Sequence, residues 1–162
     1  MNIVRFAGLN TIALFSLIAC ASQPPPAVAP TSAPTLIRAQ PGDTVYLIEH
    51  YVRPEGREQF EQFVDQVLWP ALQQTAGANA VRGRILRQTR LLRPLAPNTD
   101  DSYTYTFVLD PAVPGESYNV LDILREAYSE EEALQHYGRF TESWAHDFTS
   151  RIFVQTGEPF VR

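Results

Sequence analysis

The sequence predicts an α+β domain in residues 37–162, with strands and helices in the order β-α-β-β-α-β. Three stretches rich in β-branched and aromatic residues, and one more polar stretch, predict four strands. Two longer stretches with apolar residues at three- and four-residue spacing predict amphipathic helices between them. The length suits a single domain with a hydrophobic core of its own.

The first half of the domain is predicted to hold one strand and one helix. The strand covers residues 43–52, DTVYLIEHYV, and both of its alternating faces are mostly apolar. After the turn RPEG, residues 57–77 predict an amphipathic helix, because apolar residues recur every three or four positions. These residues are Phe60, Phe63, Val64, Val67, Leu68 and Leu72. Pro70 has no amide hydrogen, so we expect it to kink the helix or end its regular part.

The second strand is predicted at residues 82–92, RGRILRQTRLL, and the third at residues 102–110, SYTYTFVLD. Strand alternation divides the arginines of the second strand between two faces. Arg84 is a candidate contact for an anionic ligand, although pairing with acidic residues is the stronger expectation for these arginines. Glu49, on a mainly apolar face of the first strand, is expected to pair with Arg84 or Arg87.

Residues 120–148 are predicted to contain two helical pieces, and residues 151–161 the last strand. Ser129 and Glu132 have the spacing of a capping box, so the second helical piece is expected to begin there. The resulting order β-α-β-β-α-β is the split βαβ arrangement of ferredoxin-like folds. We therefore expect a four-stranded antiparallel sheet with its helices on one face.

The apolar residues on both faces of the first strand predict a partner. Helices cover only one face of such a sheet, so the apolar side chains of the other face would meet water unless another surface covers them. A second copy of the same sheet is the simplest cover, which predicts a two-fold symmetric homodimer.

Residues 1–19 have the features of a secretory signal: a basic start with Arg5, then an apolar run too short to span a bilayer. LIAC, residues 17–20, ends this run and resembles the bacterial lipobox, in which the signal is cut before a cysteine that becomes lipidated. The resemblance implies that Cys20 carries acyl chains, which form a stable membrane anchor. The alternative is an ordinary signal cleaved near Ala21.

Residues 20–36 predict a tether between this anchor and the domain. They are rich in proline, alanine and serine and carry almost no charge, so they are expected to be extended and to have no fold. Ala21 stands where an aspartate would resemble an inner-membrane retention signal. We therefore expect a lipid-anchored protein of the cell envelope, in the outer membrane and facing the periplasm where the cell has one.

Composition excludes several kinds of chemistry. The 13 basic residues are all arginine, so no lysine Schiff base can form. Cys20 is the only cysteine, and its lipidation would leave no thiol for catalysis, metal binding or a disulfide. The formal net charge of −5 gives no support to a nucleic-acid partner. The sequence has no metal-ligand spacing or phosphate-binding loop, and we expect neither a metal nor another cofactor.

Two stretches resemble a known superfamily. VYLIEHYVRPEGREQFEQFV, residues 45–64, resembles the opening strand, turn and helix of the dimeric α/β-barrel superfamily. AYSEEEALQHYGRF, residues 127–140, is similar to the second-helix signature of its antibiotic-biosynthesis-monooxygenase-like and NIPSNAP-like members. The resemblance implies a ferredoxin-like domain that dimerises into a barrel, with a ligand cavity between sheet and helices. Members include cofactor-free oxygenases, haem-degrading proteins and lactone isomerases, so the resemblance does not fix the function.

The candidate catalytic residues are His50, His136 and Tyr105. His50 is a candidate general base if its strand face lies under the helices, because imidazole titrates near neutral pH. The alternative is a hydrogen-bonded histidine in the core or the dimer interface. His136 borders the apolar stripe of its helix and would approach the same cavity, again with a structural role as the alternative. Tyr105 would orient a substrate, and the candidate ligand contacts are Tyr46, Phe107, Phe140 and Arg84.

Three functions fit these observations. The first is a lipid-anchored module that binds a small apolar or aromatic molecule between sheet and helices without turnover. The second is a cofactor-free monooxygenase or isomerase acting on a small aromatic or enolic molecule. The third is an interaction protein of the cell envelope. The sequence favours the first, because it shows no committed pair of acid and base groups.

Overall fold

The computed structural model of the protein describes residues 37–157. Its strands are β1 (Thr44–Val52), β2 (Thr89–Leu92), β3 (Tyr103–Leu109) and β4 (Trp144–Val154). They form one sheet in the order β2-β3-β1-β4, and all neighbouring pairs are antiparallel. The helices pack on one face of this sheet, which confirms the predicted α+β class.

The predicted signal, residues 1–19, and the predicted tether, residues 20–36, lie outside the described residues. The same holds for residues 158–161 of the predicted last strand. Within residues 37–157, none of the helices combines the length and the apolar character needed to cross a membrane.

The first helical region starts after a short 3₁₀ turn (Pro54–Gly56) and ends at Ala78, one residue after the predicted end. It consists of α1 (Arg57–Phe63), a π-helical segment (Val64–Leu68) and α2 (Trp69–Ala78). Pro70 has no amide hydrogen to donate, and the ladder changes its spacing directly before it. The amide of Trp69 donates to the carbonyl of Val64, five residues back. The predicted disturbance at Pro70 is therefore a π-helical turn, after which the helix continues.

The prediction of a strand over residues 82–92 is wrong for most of that range. Residues Ala80–Gln88 form helix α3, and only Thr89–Leu92 belong to β2. Asn79 starts α3, since its side-chain oxygen accepts a hydrogen bond from the amide of Val81 at 2.9 Å. Alternation along a strand therefore does not decide where the arginines of α3 point.

The second helical region holds α4 (Val120–Ala127) and α5 (Glu130–Glu142). The predicted capping box is confirmed: the Ser129 hydroxyl accepts from the amide of Glu132, and the Glu132 carboxylate accepts from the amide of Ser129. However, α5 ends at Glu142 and β4 begins at Trp144, so the predicted extension of the helix to residue 148 is wrong. The last strand accordingly begins seven positions earlier than the predicted residue 151.

Alternation along β1 decides which side chains face the helices. Tyr46, Ile48, His50 and Val52 point to the helix layer, where His50 and Val52 are buried. They pair with Leu109, Phe107, Tyr105 and Tyr103 of β3. Together with the helices, these two strands form the hydrophobic core.

The opposite side of the sheet, which we call the open face, combines apolar residues with polar pairs. It is formed by Val45, Leu47, Glu49 and Tyr51 of β1, Thr104, Thr106 and Val108 of β3, and Arg151 and Phe153 of β4. Glu49 accepts a hydrogen bond from Arg151 at 2.9 Å. The predicted pairing of Glu49 with Arg84 or Arg87 is wrong, because both arginines belong to α3.

Candidate functional site

A cavity of about 350 Å³ lies between the helix layer and the helix-facing side of the sheet. Its walls are mostly apolar and aromatic, and they come from every layer of the domain. Strands β1 and β3 supply Tyr46, Ile48, His50, Phe107 and Leu109, and the helical regions supply Leu68, Trp69, Leu72, Ile85, Val120, Ile123, Tyr137 and Phe140. The start of β4 supplies Trp144 and Phe148.

The π-helical segment contributes directly to this wall. Leu68 and Trp69 stand at its end and line the cavity, and Leu72 follows one turn later. A π turn shifts the residues after it around the helix axis, and such turns occur frequently at functional sites. The ring of Trp69 lies 6.1 Å from that of Phe107, centroid to centroid, across the cavity wall.

One end of the cavity is formed by His50 inside a group of five aromatic rings. The ring centroids of Phe60, Phe107, Phe140, Trp144 and Phe148 lie between 5.1 and 5.9 Å from that of His50. We call this the aromatic end. His50 is only 3% exposed, and this burial lowers its pKa to about 4. The imidazole is therefore neutral at physiological pH.

Two nitrogens at the aromatic end are buried and have no hydrogen-bond partner within residues 37–157. They are Nδ1 of His50 and Nε1 of Trp144. The two rings are neighbours, with centroids 5.1 Å apart. Because most buried polar groups are paired, two unpaired nitrogens beside one cavity need an explanation.

The other end of the cavity is more polar, and we call it the loop end. It is lined by Glu116, Ser117, Tyr118 and Asn119, which lead into α4. Tyr118 packs edge-on against Tyr46 with ring centroids 5.8 Å apart, and its hydroxyl accepts from the amide of Val113 at 2.5 Å. The loop end is thereby fixed against β1.

A buried arginine that the sequence analysis did not single out holds the loop end in place. Arg82 is 6% exposed, and its Nη1 donates to the carbonyl of Ser117 at 2.9 Å. Its Nε donates to Glu126 at 2.9 Å, and Nη2 forms a further contact with the same carboxylate. The hydrogen bonds to Glu126 raise the pKa of Arg82, so the guanidinium keeps its charge.

The structure brings together some of the predicted site residues. His50, Tyr46, Phe107 and Phe140 all line the cavity. Tyr105 does not, because its ring is fully buried against Phe60 and its hydroxyl donates to Glu61 at 2.5 Å. Burial raises the pKa of the Tyr105 hydroxyl above its ordinary value.

His136 and Arg84 also lie away from the cavity. His136 packs against Tyr128, with ring centroids 5.0 Å apart, and Arg84 is exposed on α3. The three predicted catalytic residues therefore do not form one constellation. Within residues 37–157, no group of three or more histidine, cysteine, aspartate or glutamate side chains is arranged to hold a metal ion.

The charges on the cavity wall restrict what the cavity can hold. Among its lining residues, Glu116 is the only one with a formal charge at neutral pH, and none is a cation. The wall therefore disfavours anions. Since a cavity of about 150 Å³ is enough for benzene, the larger volume suits an uncharged molecule of about two rings.

The fold and the cavity define an α+β domain with a mostly apolar cavity between its sheet and its helices. No protein-family model matches the chain, and no curated protein matches its sequence. The resemblance to the dimeric α/β-barrel superfamily accordingly stays a prediction.

The low pKa of His50 predicts that acid destabilises the protein through this residue. The unfolded chain binds a proton near pH 6.5 and the folded chain only near pH 4, so protonation favours unfolding as the pH falls between these values. We expect His50 to lower the free energy of unfolding by about 3 kcal/mol between pH 7 and pH 4. Urea denaturation at both pH values measures the total loss in the wild type and in His50→Phe, where the loss should be smaller by the share of His50.

The exposed His146 provides the control, since His146→Gln should keep the loss. An equal loss in the wild type and in His50→Phe would contradict the prediction.

Proposed function

We propose that the domain binds a small, uncharged apolar or aromatic molecule in the cavity and does not turn it over. The observation that carries this proposal is an apolar cavity whose aromatic end contains two buried nitrogens, from His50 and Trp144, that have no partner among the described residues 37–157. A core formed only for stability would close around its aromatic rings and pair its polar groups. Here Phe107, Phe140 and Trp144 leave a cavity open beside them.

Binding is better supported than catalysis by the state of His50. A general base works best when its pKa lies near the operating pH. Burial lowers the pKa of His50 to about 4, so it is a weak base at neutral pH. His136 and Tyr105, the other candidates for acid–base chemistry, do not line the cavity. A cofactor-free oxygenase or isomerase remains the alternative and would require another base.

Tryptophan fluorescence can report ligand binding in this protein. Trp69 and Trp144 are the only tryptophans of the chain, and both line the cavity. We expect 2-methylnaphthalene, an uncharged two-ring probe, to quench their fluorescence in a saturable way. Val120→Phe adds a ring to the cavity wall and should weaken binding at least tenfold.

Leu134→Phe is the matched control, because Leu134 is exposed on α5 and does not line the cavity. It should bind like the wild type. Both variants and the wild type are compared as the full chain carrying Cys20→Ala, so that no acyl chain or detergent competes for the probe. Absence of saturable quenching in the wild type would overturn the proposal.

We propose further that the domain is ferredoxin-like and pairs as a dimeric α/β barrel. The element order and the sheet order β2-β3-β1-β4 support this, because a split βαβ arrangement requires β3 to lie between β1 and β2. The open face supports a homodimer: Val45, Leu47 and the exposed Phe153 form an apolar patch, with Glu49 and Arg151 as a polar pair beside them. Two copies related by a two-fold axis would bury these residues against each other.

The homodimer can be tested by placing a charge on the open face. We expect the wild-type protein to sediment as a dimer at micromolar concentration and Leu47→Arg to sediment as a monomer, because a buried unpaired charge is costly. Analytical ultracentrifugation measures the two masses. Leu134→Arg, on the exposed side of α5, should remain dimeric. A monomeric wild type would contradict the dimer without affecting the cavity.

We propose, finally, that a lipid on Cys20 anchors the protein in the outer membrane, facing the periplasm. The support is the LIAC motif at the end of the apolar run and the Pro-rich segment after it. Cys20→Ala should abolish incorporation of radiolabelled palmitate and release the protein from the membrane fraction or leave it unprocessed. Ser22→Ala, two positions away, should still be labelled. Continued labelling of Cys20→Ala would refute the anchor.

A further inference from the structure

The helix-facing side of β4 carries apolar side chains that no described helix covers. Ile152 lies opposite Tyr46 of β1, which points to the helix layer, and Phe148 and Val154 lie on the same side by alternation. Phe148, Ile152 and Val154 are 47%, 69% and 58% exposed. Of β4, only Trp144 packs against the hydrophobic core. We call the three exposed residues the apolar strip, since exposed apolar residues that follow one another on a surface mark an interaction site.

The strip ends where the chain enters the domain. The amide of Gly42 donates to the carbonyl of Gln155 at 2.8 Å, and the amide of Gln155 donates to the carbonyl of Asp43 at 2.8 Å. Gln155 directly follows Val154, so the first residues of the domain are bonded to the chain beside the strip. Residues 20–36, which lie outside the described residues, connect this part of the domain with the proposed lipid. The strip therefore lies at the end of the sheet that is attached to the proposed anchor.

The strip also adjoins the cavity. Phe148 belongs to both, because it lines the cavity and is half exposed. Tyr46, the β1 partner of Ile152, lines the cavity next to Tyr118 of the loop end. From Ile152 to Gly157 the chain has no charged side chain. An apolar molecule that leaves the cavity along β4 would therefore meet an apolar and uncharged surface.

The proposed homodimer does not cover the strip. Its contact uses the open face, whereas Ile152 and Val154 point to the opposite side of the sheet. The strip presents no charged group, and it belongs to an edge strand of the described sheet. A lipid bilayer needs no matching polar groups, since apolar side chains insert at its headgroup boundary by burial of their surface. The position beside the connection to the proposed lipid makes a bilayer the occupant that fits.

We propose that the apolar strip docks on the surface of the lipid bilayer, with Ile152 and Val154 inserted at the headgroup boundary. This inference rests on the proposed lipid anchor and goes beyond it, because an anchor alone does not determine which side of the domain faces the membrane. The docked strip would orient the domain and place the loop end of the cavity at the lipid surface. An apolar ligand would then pass between bilayer and cavity with little exposure to water.

A fluorescent label on the strip tests this docking. Cys20 is the only cysteine, and its proposed acylation leaves Ile152→Cys as the single free thiol of the mature protein. The variant is labelled with nitrobenzoxadiazole, and the lipidated protein is placed in vesicles of phosphatidylcholine. Leu134→Cys is the matched control, because Leu134 is 48% exposed but lies on α5. We expect a nitroxide on the lipid chains to quench the label at position 152 about threefold more strongly than at position 134, since interfacial side chains insert about 5–10 Å.

A second variant tests whether the apolar character of the strip is the cause. Val154→Glu, combined with Ile152→Cys, places a carboxylate beside the label and should return it to water, because a charge enters the apolar layer at high cost. Lipid quenching should then fall to the level at position 134, while the acyl chains keep the protein on the vesicles. Leu134→Glu, combined with Ile152→Cys, should leave the quenching unchanged. Undiminished quenching in the Val154→Glu variant would contradict docking through the strip.

Iodide in the water phase and flotation of the vesicles separate the remaining outcomes. A label at position 152 that iodide quenches as strongly as the label at position 134, on protein that floats with the vesicles, overturns docking and leaves the lipid anchor intact. A label that neither quencher reaches shows that a protein surface such as a second copy covers the strip, which also overturns docking. Protein that does not float with the vesicles refutes the proposed anchor and this inference together.

Discussion

The structure depends on the register of β1 between its two neighbours. This strand is hydrogen-bonded to β4 on one side, where the register shifts after Glu49, and to β3 on the other, where one continuous register fixes its alternation. It sends Tyr46, Ile48 and His50 under the helices and Leu47 and Glu49 to the open face. A slip by one residue would exchange these two sets. His50 would then leave the aromatic end, and the cavity would lose one of its walls.

His50 is a costly residue for the place that it occupies. Five aromatic rings surround it, and none of them offers its Nδ1 a hydrogen-bond partner. Burial of an unpaired polar group is unfavourable, and a phenylalanine would fill the same space without that penalty. Packing alone therefore does not explain a histidine at this position. Nε1 of Trp144 is likewise buried and has no hydrogen-bond partner within residues 37–157.

The sequence predicted the parts of the fold that local patterns determine. The start of α5 follows from the Ser129–Glu132 pair, and the alternation of β1 and β3 follows from their side chains. Helix α3 was missed because its arginines also suit a polar strand, and the start of β4 was missed because Trp144 continues the spacing of the apolar residues of α5. The role of Arg82 depends on Glu126, 44 residues away, so no local pattern could indicate it.

The alternation of β1 also separates the cavity from the proposed dimer contact. The cavity lies on the helix-facing side, and the proposed dimer contact lies on the open face, so a ligand and a second copy would not compete for the same side chains. They would still be linked, because Leu47 and Ile48 are adjacent residues of one strand. A partner packed against Leu47 would restrict the motion of β1 and hold His50 in place. In the proposed dimer, the partner would thus lie behind the aromatic end, on the opposite side of β1.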